Sequence, residues 1–122
     1  MKENEIPSVP YDMYESPQEV IILVPLGWVK KESVEVKIED YKISIKGMRE
    51  KRLLKDSCIA IQEECYWGPV KLTIDIPPQV YFDRIQSKLT FDNVLEIIVP
   101  KAIVPEKIQL EVEYEADDRS DF

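Results

Sequence analysis

The side chains best suited to redox or metal chemistry in this 122-residue chain are its two cysteines, Cys58 and Cys65. A thiolate binds zinc, but a zinc site needs four ligands and commonly combines thiolates with imidazoles. The chain has no histidine, and the two cysteines do not form a C-x-x-C pattern. We therefore predict no metal site. The simplest interpretation is two reduced thiols on neighbouring turns or strands, with a redox switch as the alternative.

Adjacent carboxylates offer the next possible chemistry, which is general acid–base catalysis. Glu63-Glu64 and Asp117-Asp118 are neighbours in sequence, so on a strand the two side chains of each pair point to opposite faces. Solvated surface charge is the simpler interpretation of both pairs. Without histidine the usual general base is missing, and no G-x-S-x-G, H-E-x-x-H or phosphate-binding glycine loop is present. We predict no catalytic residues, no cofactor and no enzyme activity.

The elements that position these residues are strands, because apolar and polar side chains alternate along most of the chain. Such alternation is typical of strands with one buried and one solvated face. No stretch keeps the period of a helix, and nine prolines disfavour helices further. The sequence predicts an all-β fold, an immunoglobulin-like antiparallel β-sandwich. The predicted strands lie at 13–14, 20–24, 34–38, 42–46, 70–76, 85–91 and 95–99.

Charge excludes several classes of partner. The formal net charge is −8, which disfavours nucleic acid and anionic membranes as partners, because both attract lysine and arginine. Residues 111–122 carry six acidic side chains and one arginine, a net charge of −5, so we interpret them as a solubilising tail. No apolar run is long enough to span a membrane, and the N-terminus resembles no signal peptide. We expect a cytoplasmic protein.

The alternation continues beyond the apparent end of the β-domain at Lys101. In residues 108–114, Ile108, Leu110, Val112 and Tyr114 alternate with polar residues. A strand with an apolar face outside a finished domain needs an edge or groove to bind, which indicates assembly or partner binding. The alternatives are that these residues form the last strand of their own sandwich, or that they are disordered. Pro105 favours a break before them.

Five short motifs follow one another in order along the chain. They are Val9–Glu15, similar to P-x-D-x-Y-E, Pro25–Val36, similar to L-P-G-V-x-K-E-D-I-x-V, Tyr41–Gly47, similar to L-x-I-x-G, Tyr66–Pro77, similar to S-Y-G-x-F … L-P, and Val80–Lys101, similar to an ending G-V-L-x-V-x-V-P-K. Each motif is weak alone, but the order of all five is specific, and together they resemble the α-crystallin domain of the small heat-shock proteins. The resemblance covers residues 9–101 and implies a short N-terminal arm at 1–8 and a C-terminal extension at 102–122.

The resemblance implies an ATP-independent chaperone, a holdase that binds unfolding proteins before they aggregate. Its partners would be unfolding client proteins and further copies of itself, in a homodimer or a larger homo-oligomer. The arm at 1–8 is short for the family, which predicts weak holdase activity or a small assembly. One departure is Asn93, which replaces the family's glycine in the G-V-L turn. Asparagine tolerates the left-handed backbone conformation better than most residues, so the turn should survive.

The resemblance also implies three sets of interaction residues. The family's I-x-I motif, which docks on a neighbouring subunit, is similar to Ile108-Gln109-Leu110, with Leu110-Glu111-Val112 as a second register. The implied receiving groove and the implied strand exchanged between the subunits of a dimer are larger sets. The groove comprises Val34, Val36, Ile38, Ile85 and Leu89, and the exchange strand comprises Cys58, Ile59, Ala60 and Ile61.

Two other functions fit the same fold, since fold alone does not fix function. One is an adaptor without holdase activity, similar to the CS-domain co-chaperones, which dock on a larger chaperone but lack the trailing apolar motif. The other is a structural accessory similar to the crystallin-like proteins of gas vesicles, which coats one dedicated partner. The motif at 108–112 favours the holdase.

Overall fold

The computed structural model describes residues 6–102 and 109–116 of the chain. Within them it has seven strands and two short 3-10 helices, at Lys31–Ser33 and Phe82–Arg84, and no α-helix. The all-β prediction is therefore confirmed. The strands are β1 (Asp12–Glu15), β2 (Glu19–Pro25), β3 (Glu35–Glu39), β4 (Lys42–Arg49), β5 (Gly68–Asp75), β6 (Gln86–Leu89) and β7 (Val94–Pro100).

The strands form two antiparallel sheets. The larger has the order β1-β2-β7-β6 and the smaller has the order β3-β4-β5. Alternate residues of each central strand supply the core. In β2, Val20, Ile22 and Val24 are buried, whereas Ile21 and Leu23 are partly exposed. The continuous apolar run of β2 therefore packs on one face only, as antiparallel sandwich strands commonly do.

The core closes between the two sheets. It contains no buried polar or charged residue among those described. None of its buried residues comes from 51–67 or 109–116, but Tyr66 packs against it partly buried. Each buried aliphatic side chain stabilises the fold by roughly 1.5–3 kcal/mol relative to exposure. The core residues are Val9, Val20, Ile22, Val24, Leu26, Val29, Ile43, Ile45, Val70, Leu72, Ile74, Ile76, Val80, Leu95, Ile97 and Val99.

Tight turns join neighbouring strands. Asp40 and Tyr41 both have positive φ, at 52° and 60°, the combination of the two-residue hairpin turn that matches strand twist. Asn93 has a φ of 65° between β6 and β7, so the predicted left-handed asparagine is confirmed. The Asn93 N–H donates to the Thr90 carbonyl at 3.0 Å, and its carbonyl accepts from the Leu26 N–H at 2.7 Å. This turn thus ties the β6–β7 hairpin to the end of β2.

Candidate interaction edges

Four strands lie at sheet edges: β1 and β6 in the larger sheet, and β3 and β5 in the smaller. An edge strand presents unpaired N–H and C=O groups that can pair with another strand. The chain itself covers part of the β5 edge. The Val9 N–H donates to the Lys71 carbonyl, and the Lys71 N–H donates to the Pro7 carbonyl, both at 3.3 Å. The open backbone therefore lies mainly along β1, β3 and β6.

The residues predicted to form a groove lie on or beside β3 and β6. Val34, Val36, Ile85 and Leu89 are half-buried and pack against the same core cluster. Ile38 lies further along β3 and is exposed. Four of the five predicted residues thus pack against the same core from positions on or beside two edge strands. Their apolar side chains remain partly exposed to solvent. The groove itself stays a prediction.

Residues 51–67, here called the 51–67 loop, contain no strand and connect β4 to β5. Three large aliphatic side chains are left almost fully in water: Leu53 is 95% exposed, Ile59 84% and Ile61 96%. The loop curls around an open cavity of about 870 Å³, and an ion pair of 3.6 Å joins Lys51 to Glu63 across it. Within this chain the predicted exchange strand, Cys58–Ile61, has no partner strand among the described residues.

Two tryptophans stand at the base of the 51–67 loop. The rings of Trp28 and Trp67 meet edge to face with centroids 6.0 Å apart. Trp28 is 66% exposed and has a φ of 64°, a left-handed conformation that is uncommon for a bulky residue. Its carbonyl accepts the Glu50 N–H at 3.3 Å, and Glu50 pairs with Lys30 at 3.6 Å. These contacts fix the point where the loop leaves β4.

Within the C-terminal extension the structure describes Ala102 and the segment 109–116. Leu110, Val112 and Tyr114 are exposed, and no strand forms in this segment. The described part of the extension is therefore not the last strand of its own sandwich. Ile108 lies outside the described residues, so the Ile108-Gln109-Leu110 motif is a prediction from sequence.

The open edge of β1 is a feature that sequence reasoning missed. All four residues of β1 are exposed, and among the described strands only β2 pairs with it. The Lys101 ammonium lies 2.9 Å from the Glu15 carboxylate, and its hydrogen bond and charge lower the pKa of Glu15. This contact ties the end of β1 to the residue that follows β7. The sequence predicts a short strand that begins at Met13-Tyr14, but which side of it stays open depends on pairing between distant segments.

The open edges and the exposed aliphatic side chains are suited to backbone pairing and apolar contact. Both thiols are free and exposed. In the described ranges, no group of three potential acidic, cysteine or histidine ligands is placed to hold a metal ion. No helix in those same ranges has the length and apolar character needed to cross a bilayer.

Comparison with known proteins gives a consistent result. The model of the Hsp20/alpha crystallin family matches residues 12–113. Heat shock protein 16.0 from Schizosaccharomyces pombe superposes with a TM-score of 0.70 at 27% identity, covering 87% of this chain and 98% of that one. A small heat-shock protein from Xylella fastidiosa gives 0.69 at 21% identity, with coverage of 87% and 96%. HSP18.5 from E. histolytica gives 0.69 at 12% identity, with coverage of 86% and 98%. No curated protein sequence matches the chain significantly.

Proposed function

Because the chain belongs to the Hsp20/alpha crystallin family of small heat-shock proteins, which are in general chaperones, we propose that it is an ATP-independent holdase acting in the cytoplasm. One observation carries the proposal: the core is complete, yet large apolar side chains and three strand edges remain open. Unfolding proteins expose the same two features, apolar surface and unpaired backbone. Association therefore needs only buried area and strand pairing, with no nucleotide and no enzymatic step.

We further propose that the 51–67 loop joins two copies in a dimer. Cys58–Ile61 of one copy would add to the open edge of β1 in the other. Between Glu50 and Gly68 the loop has eighteen Cα–Cα steps, so a chain that runs out and back reaches about 30 Å when extended. Pairing would bury Ile59 and Ile61, which a single chain leaves in water. The partial cover on β5 disfavours that edge as the alternative dimer contact.

The C-terminal extension would build larger assemblies from these dimers. Side chains two residues apart share one strand face, so Ile108 and Leu110 would fill adjacent apolar pockets between β3 and β6 of a neighbouring subunit. The register Leu110-Glu111-Val112 offers the same spacing one step further. Support comes from the exposure of Leu110 and Val112 and from the half-buried side chains at both edges.

The test of the holdase is light scattering of insulin during reduction of its disulfides, at constant temperature and without ATP. We expect suppression of scattering at near-stoichiometric amounts of this protein, because the aggregating chains expose apolar strands. Ile59→Ser/Ile61→Ser should change the amount of protein needed to suppress scattering. Phe91→Ser is the matched control and should leave that amount unchanged, since Phe91 is equally exposed but lies on the β6–β7 turn. No suppression by the folded protein would overturn the holdase and favour the adaptor with one dedicated partner.

The test of assembly is native mass measured by light scattering after size exclusion. Ile108→Ala/Leu110→Ala should leave a folded dimer and abolish any larger species, because only the docking contact is lost. Ile59→Ser/Ile61→Ser should instead reduce the dimer to monomers. An unchanged mass for the first variant would contradict docking, and an unchanged mass for the second would contradict exchange through the loop.

A further inference from the structure

Cys58 and Cys65 share one environment in the 51–67 loop. They are the only cysteines of the chain, both thiols are free and exposed, and both line the open cavity around which the loop curls. They bracket the segment 59–64, which contains Ile59 and Ile61. Two accessible thiols at the two ends of one short segment are the arrangement from which a local disulfide forms.

The backbone between the two cysteines is free to bring them together. In the described structure the Cys58 N–H donates to the Lys55 carbonyl at 2.9 Å, which is a turn before the segment. Within the segment, the only described hydrogen bond joins the Gln62 amide to the Glu64 carboxylate at 2.9 Å. The Lys51–Glu63 ion pair already folds the loop back on itself. A disulfide needs the two Cα atoms about 5.5 Å apart, and no ladder bond opposes that approach.

We propose that Cys58 and Cys65 are a redox-active pair that hydrogen peroxide converts into a disulfide within one chain. One thiol gives up its proton and the thiolate attacks hydrogen peroxide. The O–O bond breaks, the sulfur keeps one oxygen as a sulfenic acid, and the hydroxide that leaves takes up that proton to form one water. The second thiol attacks the sulfenic sulfur, the S–S bond forms, and the sulfenic oxygen leaves as a second water. Both cysteine sulfurs are oxidised and the peroxide is reduced to two waters. Two equivalents of a small thiol reverse the step by exchange, through a mixed disulfide, and are themselves oxidised to a disulfide.

Pairing within one chain is favoured over pairing between chains. The cysteines are joined by a short flexible segment, for which effective concentrations are of millimolar order, well above those of a dilute protein. The loop-closure entropy of so short a segment is also small. Oxidation therefore gives a ring inside the loop before it gives disulfide-linked dimers.

The consequence for assembly rests on the proposed function. The seven Cα–Cα steps from Cys58 to Cys65 cover about 23 Å when extended, and the disulfide replaces them with a crossing of about 5.5 Å. The loop becomes shorter, and Ile59–Ile61 are held in the ring instead of lying along the β1 edge of a partner. Oxidation would thus withdraw the exchange strand.

The first test is mass spectrometry of the full chain after treatment with hydrogen peroxide, denaturation and alkylation of remaining thiols. The expected product is a single polypeptide that has lost two hydrogen atoms and takes up no alkylating agent. Cys58→Ser and Cys65→Ser are the controls, because each retains one thiol and cannot form the ring. Two alkylatable thiols in the treated protein, or disulfide-linked dimers as the main product, would overturn the proposal.

The second test compares the native mass of reduced and oxidised protein. The mass should fall on oxidation and recover with dithiothreitol. Cys58→Ser/Cys65→Ser should keep its mass in peroxide, which separates the effect from oxidation of exposed Met13. If the oxidised protein keeps its mass while Ile59→Ser/Ile61→Ser lowers it, the withdrawal of the strand is wrong. If neither oxidation nor Ile59→Ser/Ile61→Ser alters the native mass, strand exchange through the loop is wrong. Whether the disulfide forms is then judged by the mass spectrometry of the first test.

Discussion

Ile97 and Ile61 are the same residue type in opposite situations. Ile97 is fully buried at the centre of β7, opposite Ile22 of β2, whereas Ile61 is almost fully exposed in the 51–67 loop. Ile97 lies in a strand that is paired on both sides, and its side chain packs in the core. Ile61 lies in no strand, and its side chain is left in water. An isoleucine side chain therefore stabilises the fold where the chain itself supplies a partner strand. Where the chain supplies no partner strand, the same side chain is available for association with another protein.

Amide hydrogen exchange should separate the two regions by the largest factor. For a domain with a stability of at least about 5 kcal/mol, amides of β2 and β7 should be protected by roughly a thousand-fold or more at any protein concentration. Amides of 59–61 should be protected only when dimers form, so their protection should fall on dilution. Concentration-independent protection at 59–61 would show that the loop is ordered within one chain.

The second-largest difference between the two regions should be the loss of stability caused by the same substitution, isoleucine to alanine. Ile97→Ala should lower the free energy of unfolding by roughly 2–5 kcal/mol, because it opens a cavity between the sheets. Ile61→Ala should change it by no more than about 0.5 kcal/mol under conditions where the protein is monomeric. Urea titration followed by far-ultraviolet circular dichroism measures both. A loss at Ile61 comparable to that at Ile97 would remove the distinction drawn here.

A turn of the sandwich gives a smaller effect. Asn93→Val should destabilise the fold by about 1–3 kcal/mol, because a β-branched residue is strained at the φ of 65° found there. Asn93→Gly is the matched control and should be tolerated, since glycine adopts positive φ without strain. Thermal melts of the two variants provide the comparison. Equal melting temperatures would mean that the turn changes conformation to suit its residue.

The smallest effect should come from the ion pair between Glu15 and Lys101. A pKa of Glu15 that is lowered in the folded state contributes stability above the ordinary range of a glutamate pKa. That contribution is lost as the pH falls through the folded-state pKa. The stability difference between the natural chain and Glu15→Gln should therefore shrink in acid. When Lys101→Gln is present, adding Glu15→Gln should no longer produce this pH-dependent difference in stability. If the difference between the natural chain and Glu15→Gln persists in acid, another contact of Glu15 causes it.

Local sequence pattern was sufficient for the strands and for one turn. Alternation predicted strands at β3 to β7, and a continuous apolar run predicted β2. A short strand after Pro10 matched the middle of β1, and the residue type at position 93 predicted its backbone conformation. Local pattern did not predict which distant segments pair with one another. The attachment of Pro7–Val9 to β5 and the open side of β1 depend on long-range pairing, which has no local signal. The left-handed Trp28 lies in a turn closed by the Val29 N–H and the Leu26 carbonyl at 3.2 Å, and its residue type does not signal that conformation.

Both tryptophans of the chain stand at the base of the 51–67 loop and neither lies in the core. Intrinsic fluorescence of this protein is therefore an optical probe of the loop, because indole emission responds to local hydration. Circular dichroism reports instead on the seven strands. Unfolding curves recorded by the two methods should not coincide, even if the sandwich itself unfolds in one step. Here such a mismatch would measure the motion of the loop and would not be evidence for a folding intermediate.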